Sequence, residues 1–284
     1  MTAIAAGSAA GAATGVSRRQ RTARRRRAGR IVRTVVPALA TFAVLITAWE
    51  LLAASGSWPR SASSPGAIAS ELVNEPDVVL SHLWPTVTVS VRGYVIAVVL
   101  ALLLSTFTII VPRLTDPVLK LAAVTYSLPL IALAPVLIAI MGVGDTVRIT
   151  IVAIAGFFPV VVGCIQGFKA TSVATEELFA QLASTPGQRF RYLVLPGSLP
   201  YVFAGLKVSA AAAVLGAIIA EWTGAEAGLG VLMTLAMFAF DPPMVWLSLL
   251  TAAGLSLTLY GSVALLERVV VRWDVDRSGI DVGV

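Results

Sequence analysis

Six nearly uninterrupted apolar segments limit what this chain can fold into. They cover residues 31–54, 85–111, 119–141, 146–168, 201–222 and 244–266. A helix of about 20 apolar residues crosses the roughly 30 Å hydrocarbon core of a bilayer with its backbone polar groups satisfied internally. The segments lack the polar–apolar alternation of membrane-barrel strands. Only 13% of the residues are charged, against about 25% in soluble domains. The sequence therefore predicts an all-α, polytopic membrane protein with about six transmembrane helices.

Positive charge is concentrated near the N-terminus and on one side of the predicted spans. Nine of the 21 Lys and Arg residues lie between Arg18 and Arg33. If the N-terminus is cytoplasmic, 18 of the 21 lie on that side, and only Arg60, Arg92 and Arg148 lie outside. Because cytoplasmic segments are enriched in Lys and Arg, both termini and the loop 169–200 are predicted to be cytoplasmic. The basic run favours membrane lipid over nucleic acid as a partner.

These boundaries divide the chain into three parts and place it in the cell membrane as a multi-pass protein. Residues 1–30 are a basic cytoplasmic tail that we expect to be disordered, because it is rich in Ala, Gly and Arg. Residues 31–270 form one transmembrane domain, and residues 271–284 form a cytoplasmic C-terminal tail.

Few side chains could support catalysis or hold a metal. The chain has one Cys, Cys164, and one His, His82, which excludes an internal disulfide and a Cys/His metal cluster. We expect Cys164 to be a small buried residue and His82 to lie at the membrane interface. The sequence contains no Gly-x-x-x-x-Gly-Lys-Ser/Thr loop and no Gly-x-Ser-x-Gly elbow. We therefore expect no enzymatic activity, no catalytic residue and no cofactor bound by this chain.

The loop 169–200 is predicted to contain a short amphipathic helix. Hydroxyl residues at 171–175 favour a helix start, and Leu178, Phe179 and Leu182 recur at helical spacing. Thr185-Pro186-Gly187 is expected to end the helix. Amphipathicity alone leaves two roles open: docking into the groove of a partner protein, or lying on the inner leaflet.

The spacing of this loop is specific. Glu177 is followed six residues later by Ala183, then by Leu193 and by Leu195-Pro196. This pattern resembles the coupling loop of ABC-importer permeases, and the likeness extends over about residues 65 to 275 to permeases of the nitrate/sulfonate/taurine type. The further segments that carry it are Ser127-Leu128-Pro129, Ala134-Pro135, Gly142-Val143-Gly144-Asp145, Phe157-Phe158-Pro159, Leu199-Pro200-Tyr201, Gly205-Leu206, Ala220-Glu221 and Gly228-Leu229-Gly230.

The resemblance implies a type I ABC-importer permease fold. It also implies a transporter with two permease subunits, two ATPase subunits that bind the ATP, and an extracytoplasmic substrate-binding protein. The loop would couple to the ATPase through Glu177, Leu178, Leu182, Ala183, Gly187, Leu195 and Pro196. In this chain Leu178 and Phe179 replace the two alanines of the family pattern, and Ala183 replaces its glycine. We expect Gly187 to supply the missing backbone freedom. The second permease is expected to be either another copy of this chain or a paralogue, and one hypothesis from the altered loop is pairing with a paralogue that has a regular loop.

Four residues are candidates for a gate or a translocation path. They are Pro129, Pro135, Pro159 and Glu221. Proline within a span frees a backbone carbonyl, although a kink used only for packing is an alternative. Ionisable residues in membranes are functional candidates, but Glu221 and Glu50 are expected near outer ends that water can reach.

The resemblance suggests a small anion as substrate, such as a sulfonate, nitrate or bicarbonate. Arg92 and Arg148 could draw an anion to the entrance, or could extend to lipid headgroups. A pyrimidine-type vitamin precursor is the alternative substrate. A stand-alone secondary transporter is a less favoured class, because the sequence shows no symmetric repeat and no carboxylate in the middle of a span.

Overall fold

The computed structural model describes residues 36–37, 40–55 and 63–272, and every regular element in them is helical. The chain divides into two compact units, Met1–Ala67 and Ile68–Val284. The predicted N-terminal tail, residues 1–30, and the predicted C-terminal tail apart from residues 271–272 lie outside the described residues.

In the first unit, helix α1 covers Ala40–Ala54. Its Trp49 donates Nε1–H to the Ser63 carbonyl (3.1 Å). The Glu50 carboxylate accepts from the Gly66 N–H (2.9 Å), near the start of helix α2, Pro65–Asn74. The predicted first span, 31–54, begins outside the described residues, and it is seen as a helix at residues 36–37 and from Ala40 to Ala54.

Among the described residues of the second unit, four helical segments are long and apolar enough to cross a membrane. They are α3, Pro76–Ile110; α6, Asp145–Phe168; the run Pro186–Trp222, which ends in α9, Leu195–Trp222; and α11, Pro242–Val270. They contain the predicted second, fourth, fifth and sixth spans. Helix α3 begins well before the predicted start at residue 85, because Pro85 is accommodated inside the helix.

The predicted third span, 119–141, is not one helix. After a short 3-10 turn at Pro112–Leu114, the chain forms α4, Thr115–Ser127, and α5, Leu130–Met141, whose axes are bent by 95°. Leu128 is extended (ψ 129°), because a following proline disfavours helical backbone. Pro129 then precedes α5 as its N-cap. Counting this bent pair as one span gives up to five spans among the described residues.

Helices α6 and α9 form the centre of the second unit through close backbone contact. A Cβ added to Gly205 would lie 2.5 Å from the Pro159 carbonyl oxygen, and one added to Gly163 would lie 2.7 Å from that of Tyr201. Ser209 donates to the Gly156 carbonyl (2.7 Å). Small residues let membrane helices approach in this way. Cys164 is buried here with a free thiol, as predicted.

The C-terminal part of the second unit contains a short helix, α10, and an ion pair between α9 and α11. Helix α10, Leu229–Phe238, has 10 residues, so at about 1.5 Å per residue it is too short to cross a bilayer. Lys207 of α9 pairs with Glu267 of α11 (2.7 Å), which neutralises two partly buried charges.

Candidate functional site

The loop 169–200 folds into two short helices. Helix α7 covers Val173–Gln181, and the Ser172 hydroxyl caps it by accepting from the Thr175 N–H (3.3 Å). Glu176 lies in its first turn, where a carboxylate favours the helix dipole. The start of this helix is where the hydroxyl residues predict it.

Helix α7 ends earlier than predicted, at Gln181 instead of Thr185-Pro186-Gly187. Ala183 has a left-handed backbone (φ 48°), and its N–H bonds the Ala180 carbonyl (3.0 Å). The Ser184 N–H bonds the Phe179 carbonyl (3.2 Å), and the Ser184 hydroxyl bonds the same oxygen (2.7 Å). This pair of backbone bonds is a Schellman ending, in which glycine is the usual left-handed residue. The position where the family pattern has glycine therefore has the left-handed backbone that favours glycine, and in this chain alanine occupies it.

Gly187 does not supply the missing freedom, because its backbone is helical. It lies in α8, Pro186–Arg189, which begins with a capping box formed by Thr185 and Gln188. A π-helical turn at Phe190–Val194 then leads into α9, where Pro196 occupies the first turn. Arg189 of α8 pairs with Glu176 of α7 (2.8 Å).

The outer face of α7 carries an apolar ridge. Leu178 and Leu182 lie one turn apart, and they are 51% and 68% exposed. Glu177 and Ala183 are also exposed, whereas Phe179 is half-buried. A cavity of about 420 Å³ lies between α7 and α8, and Glu177 and Arg189 are among the residues that line it. Leu178 and Leu182 are hereafter called the α7 ridge.

The opposite side of the loop faces the ends of α3 and α6. A cavity of about 350 Å³ lies between them, lined by Ile109 of α3, Phe168 of α6 and Phe190 of the π-helical turn, among others. The loop thus contacts the ends of the long helices on one side and exposes the α7 ridge on the other.

The structure separates the four path candidates. Pro129 lies at the break between α4 and α5, and Pro135 lies within α5. Pro159 lines a cavity on the face shared by α6 and α9. Glu221 lies elsewhere, under the start of α10.

Glu221 is buried, with 2% of its surface exposed, so the expectation that water reaches it is wrong. Its carboxylate accepts from the Thr86 hydroxyl (2.7 Å) and from the Gly230 N–H (2.8 Å). The Thr86 hydroxyl also accepts from the Leu229 N–H (2.8 Å). A Cβ on Gly228 would collide with the Glu221 carboxyl group. The carboxylate therefore fastens the N-terminus of α10 to α3 and α9.

Sequence reasoning missed two members of this cluster. Thr86 bridges Glu221 and α10, and His82, one turn earlier, contacts the Gly228 backbone through Nδ1 (2.9 Å to the carbonyl oxygen). The Gly228-Leu229-Gly230 segment was the available signal, because closely spaced glycines indicate close approach of another group.

Arg92 and Arg148 both lie beside Asp145. Arg92 is 3.8 Å from the Asp145 carboxylate, and Arg148 forms a closer pair with it. Their charge is therefore partly compensated at the start of α6.

The profile of a protein family described as "binding-protein-dependent transport system inner membrane component" matches residues 93–272, more than half of the chain. A formylaminopyrimidine transport permease protein, ThiX, of Halalkalibacterium halodurans is 29% identical over 233 residues, which is 82% of this chain and 93% of that protein. A riboflavin transport system permease protein, RibX, of Chloroflexus aurantiacus is 32% identical over 54% of this chain and 57% of its own length. A putative aliphatic sulfonates transport permease protein, SsuC, of Bacillus subtilis is 26% identical over 56% of each chain.

Among solved structures, an amino acid ABC transporter crystallised with histidines has a similar fold. Its TM-score is 0.56 at 18% identity, and the match covers 70% of this chain and 96% of that chain. This likeness bears on the fold alone.

Proposed function

Because this chain belongs to the family of binding-protein-dependent transport system inner membrane components, and is thus the membrane permease of an ABC importer and not itself an enzyme, we propose that its α7–α8 loop is the docking site of a separate ATPase. The observation that carries the proposal is the α7 ridge. Two leucines stay largely exposed on a helix that is capped at both ends, so a partner's groove can bury them without first ordering the loop.

The two loop helices are connected to α9 and α6, so that a movement of the loop can reach these long helices. Residues Pro186–Trp222 form one helical run of 37 residues, so α8 continues through the π-helical turn into α9. The Arg189–Glu176 pair connects this run to α7, and the glycine contacts connect it to α6. An ATPase that binds one arrangement of the loop more tightly would therefore shift α9 and α6 toward that arrangement.

The proposal implies a set of partners. ATP binds to the ATPase and not to this chain, and a substrate-binding protein delivers the solute on the opposite face. A second permease, either another copy or a paralogue, completes the path. We propose that both chain ends lie on the cytoplasmic side with the loop, which the distribution of Lys and Arg supports.

We propose an uncharged heteroaromatic compound as the solute, in preference to a small anion. One relative matched over most of its length is named for a formylaminopyrimidine, and another relative is named for riboflavin. The relative named for aliphatic sulfonates matches over about half of each chain. Arg92 and Arg148, the two outer cations considered for anion attraction, lie against Asp145.

The docking proposal is tested by charge reversal at Glu177 in the complete transporter. Glu177→Lys should abolish uptake and reduce co-purification of the ATPase, while the permease still inserts into the membrane. Leu178→Ser and Leu182→Ser should each weaken ATPase binding about 3- to 12-fold, because roughly half of the 1.5–3 kcal/mol available to a buried leucine depends on burying the exposed part.

Glu226→Lys is the matched control, because Glu226 is an exposed carboxylate between α9 and α10, outside the loop. It should leave ATPase co-purification unchanged. Normal uptake and normal ATPase binding by Glu177→Lys and by both serine variants would refute the docking role.

A further inference from the structure

Helices α6 and α9 share a face that forms a long groove. The residues of α9 that line it recur every three or four positions, which is one face of a helix: Tyr201, Ala204, Val208, Ala212, Leu215, Ile219 and Trp222. One part of the groove is a cavity of about 440 Å³ at the Trp222 end, and the other is a cavity of about 300 Å³ at the Tyr201 end, toward the α7–α8 loop. Both volumes are in the range of small-molecule sites.

An aromatic side chain, Tyr126, lies where the two cavities meet. Tyr126 lines both of them, and its ring stacks on Phe158 with 4.7 Å between the ring centroids and 26° between the planes. Tyr126 lies near the C-terminal end of α4, just before the break at Leu128-Pro129. It is 61% exposed, so little of the surrounding protein holds its ring in place except the stack on Phe158.

The lining of the groove is apolar and aromatic. Neither cavity is lined by Asp, Glu, Lys or Arg. The polar side chains that line it are few and neutral: Gln166 and Tyr201 at one end, Thr125 and Tyr126 in the middle, and Trp222 at the other end. Pro159 has no N–H to donate to the Ala155 carbonyl, and Ala155 lines the larger cavity. Such a surface suits a flat, uncharged ring with a few hydrogen-bonding groups, whereas an anion would find no cation along it.

We propose that Tyr126 and Phe158 form an aromatic gate in this groove, and that a heteroaromatic solute passes it by stacking on one ring as the two rings part. The break between α4 and α5 gives Tyr126 the freedom to move, whereas Phe158 is held on the α6 core. The inference rests on the proposed transport function and assigns the residues that the solute meets.

The test uses the complete transporter in liposomes, with cytosine as the uncharged pyrimidine probe and methanesulfonate as the aliphatic anion. Phe158→Ala and Tyr126→Ala should raise the leak of cytosine in the absence of ATP about two- to tenfold, the factor that loss of one aromatic stack corresponds to. The leak of methanesulfonate should rise less. Tyr126→Phe keeps the ring and should behave as wild type.

Phe157→Ala is the matched control, because Phe157 neighbours Phe158 but lines a different cavity with Ile96 and Leu100. It should not change the cytosine leak. If the alanine variants fail to assemble, Tyr126→Leu and Phe158→Leu keep an apolar side chain of intermediate size without the ring and should show the same leak.

Three results would overturn the gate. They are an unchanged cytosine leak in assembled ring-less variants, an equal rise for methanesulfonate, or the same leak in Phe157→Ala. Any of these leaves the docking proposal standing, because Glu177→Lys tests that proposal separately through ATPase binding.

Discussion

Ala183→Gly tests whether the left-handed end of α7 limits how firmly the loop is held. The alanine has φ 48°, and both backbone bonds of the Schellman ending depend on that conformation. Its side chain is exposed, so replacing it with glycine removes little packing. The substitution therefore isolates a backbone effect at the position where the family pattern has glycine.

The expected change in the stability of the α7 ending is the sum of two opposing contributions. A left-handed residue with a Cβ costs about 1–2 kcal/mol, and glycine removes that cost. Glycine loses more conformational freedom on folding, which costs about 0.5–1 kcal/mol. The net stabilisation of the α7 ending is about 0.5–1 kcal/mol, so the frayed fraction should fall about two- to fivefold.

Amide hydrogen exchange on the assembled transporter measures this fraction. Exchange at Ser184 and at residue 183 should slow by that factor, and ATPase affinity should stay equal or rise. Phe240→Gly is the control, because Phe240 is the other described non-glycine residue with positive φ (54°) and ends α10 through a bond from the Asp241 N–H to the Ala236 carbonyl (2.9 Å). It should slow exchange at the end of α10 and leave α7 unchanged. Faster exchange at Ser184 in Ala183→Gly would show that the reasoning about the left-handed alanine is wrong.

Two further substitutions test other parts of the second unit. Gly228→Ala should destabilise the protein by about 3 kcal/mol, because a Cβ would collide with the Glu221 carboxyl group and the backbone there has φ +146°. The loss should be seen as a lower unfolding temperature. A variant as stable as wild type would contradict the packing of this cluster. Glu71→Gln should raise the unfolding temperature slightly at neutral pH, since partial burial, then the Asp241 and Glu75 carboxylates, raise the pKa of Glu71. A raised carboxyl pKa lowers stability when the group is ionised, so the gain should vanish below about pH 4, and a gain that persists there would exclude this cause.

The apolar runs were sufficient to predict four spans, because length and hydrophobicity are local properties of the chain. The break in the third span was less visible. Leu128-Pro129 interrupts a run that is otherwise apolar, and hydropathy does not distinguish a kinked helix from two helices at 95°. Likewise the spacing from Glu177 identified position 183, but residue identity alone gave no sign that an alanine there is left-handed, so the end of α7 was placed at the next proline.

The cluster around Glu221 shows a different limit. The carboxylate was recognised as unusual, yet its burial depends on Thr86, which is 135 residues away in the sequence. Contacts at that distance depend on how α3, α9 and α10 pack, and no local pattern encodes them. The Tyr126–Phe158 pair was missed for the same reason, because the two rings lie on separate helices.

The break between α4 and α5 also bears on how this subunit is made and kept in the cell. Leu128 and Pro129 are exposed. The Pro129 carbonyl accepts from the Ala132 and Leu133 N–H groups (2.9 and 3.0 Å), but hydrocarbon offers no partner to the extended backbone at Leu128. A neighbouring subunit can cover such a segment, whereas hydrocarbon cannot. A newly inserted chain without its partner would thus display a defect that membrane proteases can recognise. The cellular amount of this subunit should accordingly follow the supply of its partner and not its own rate of synthesis.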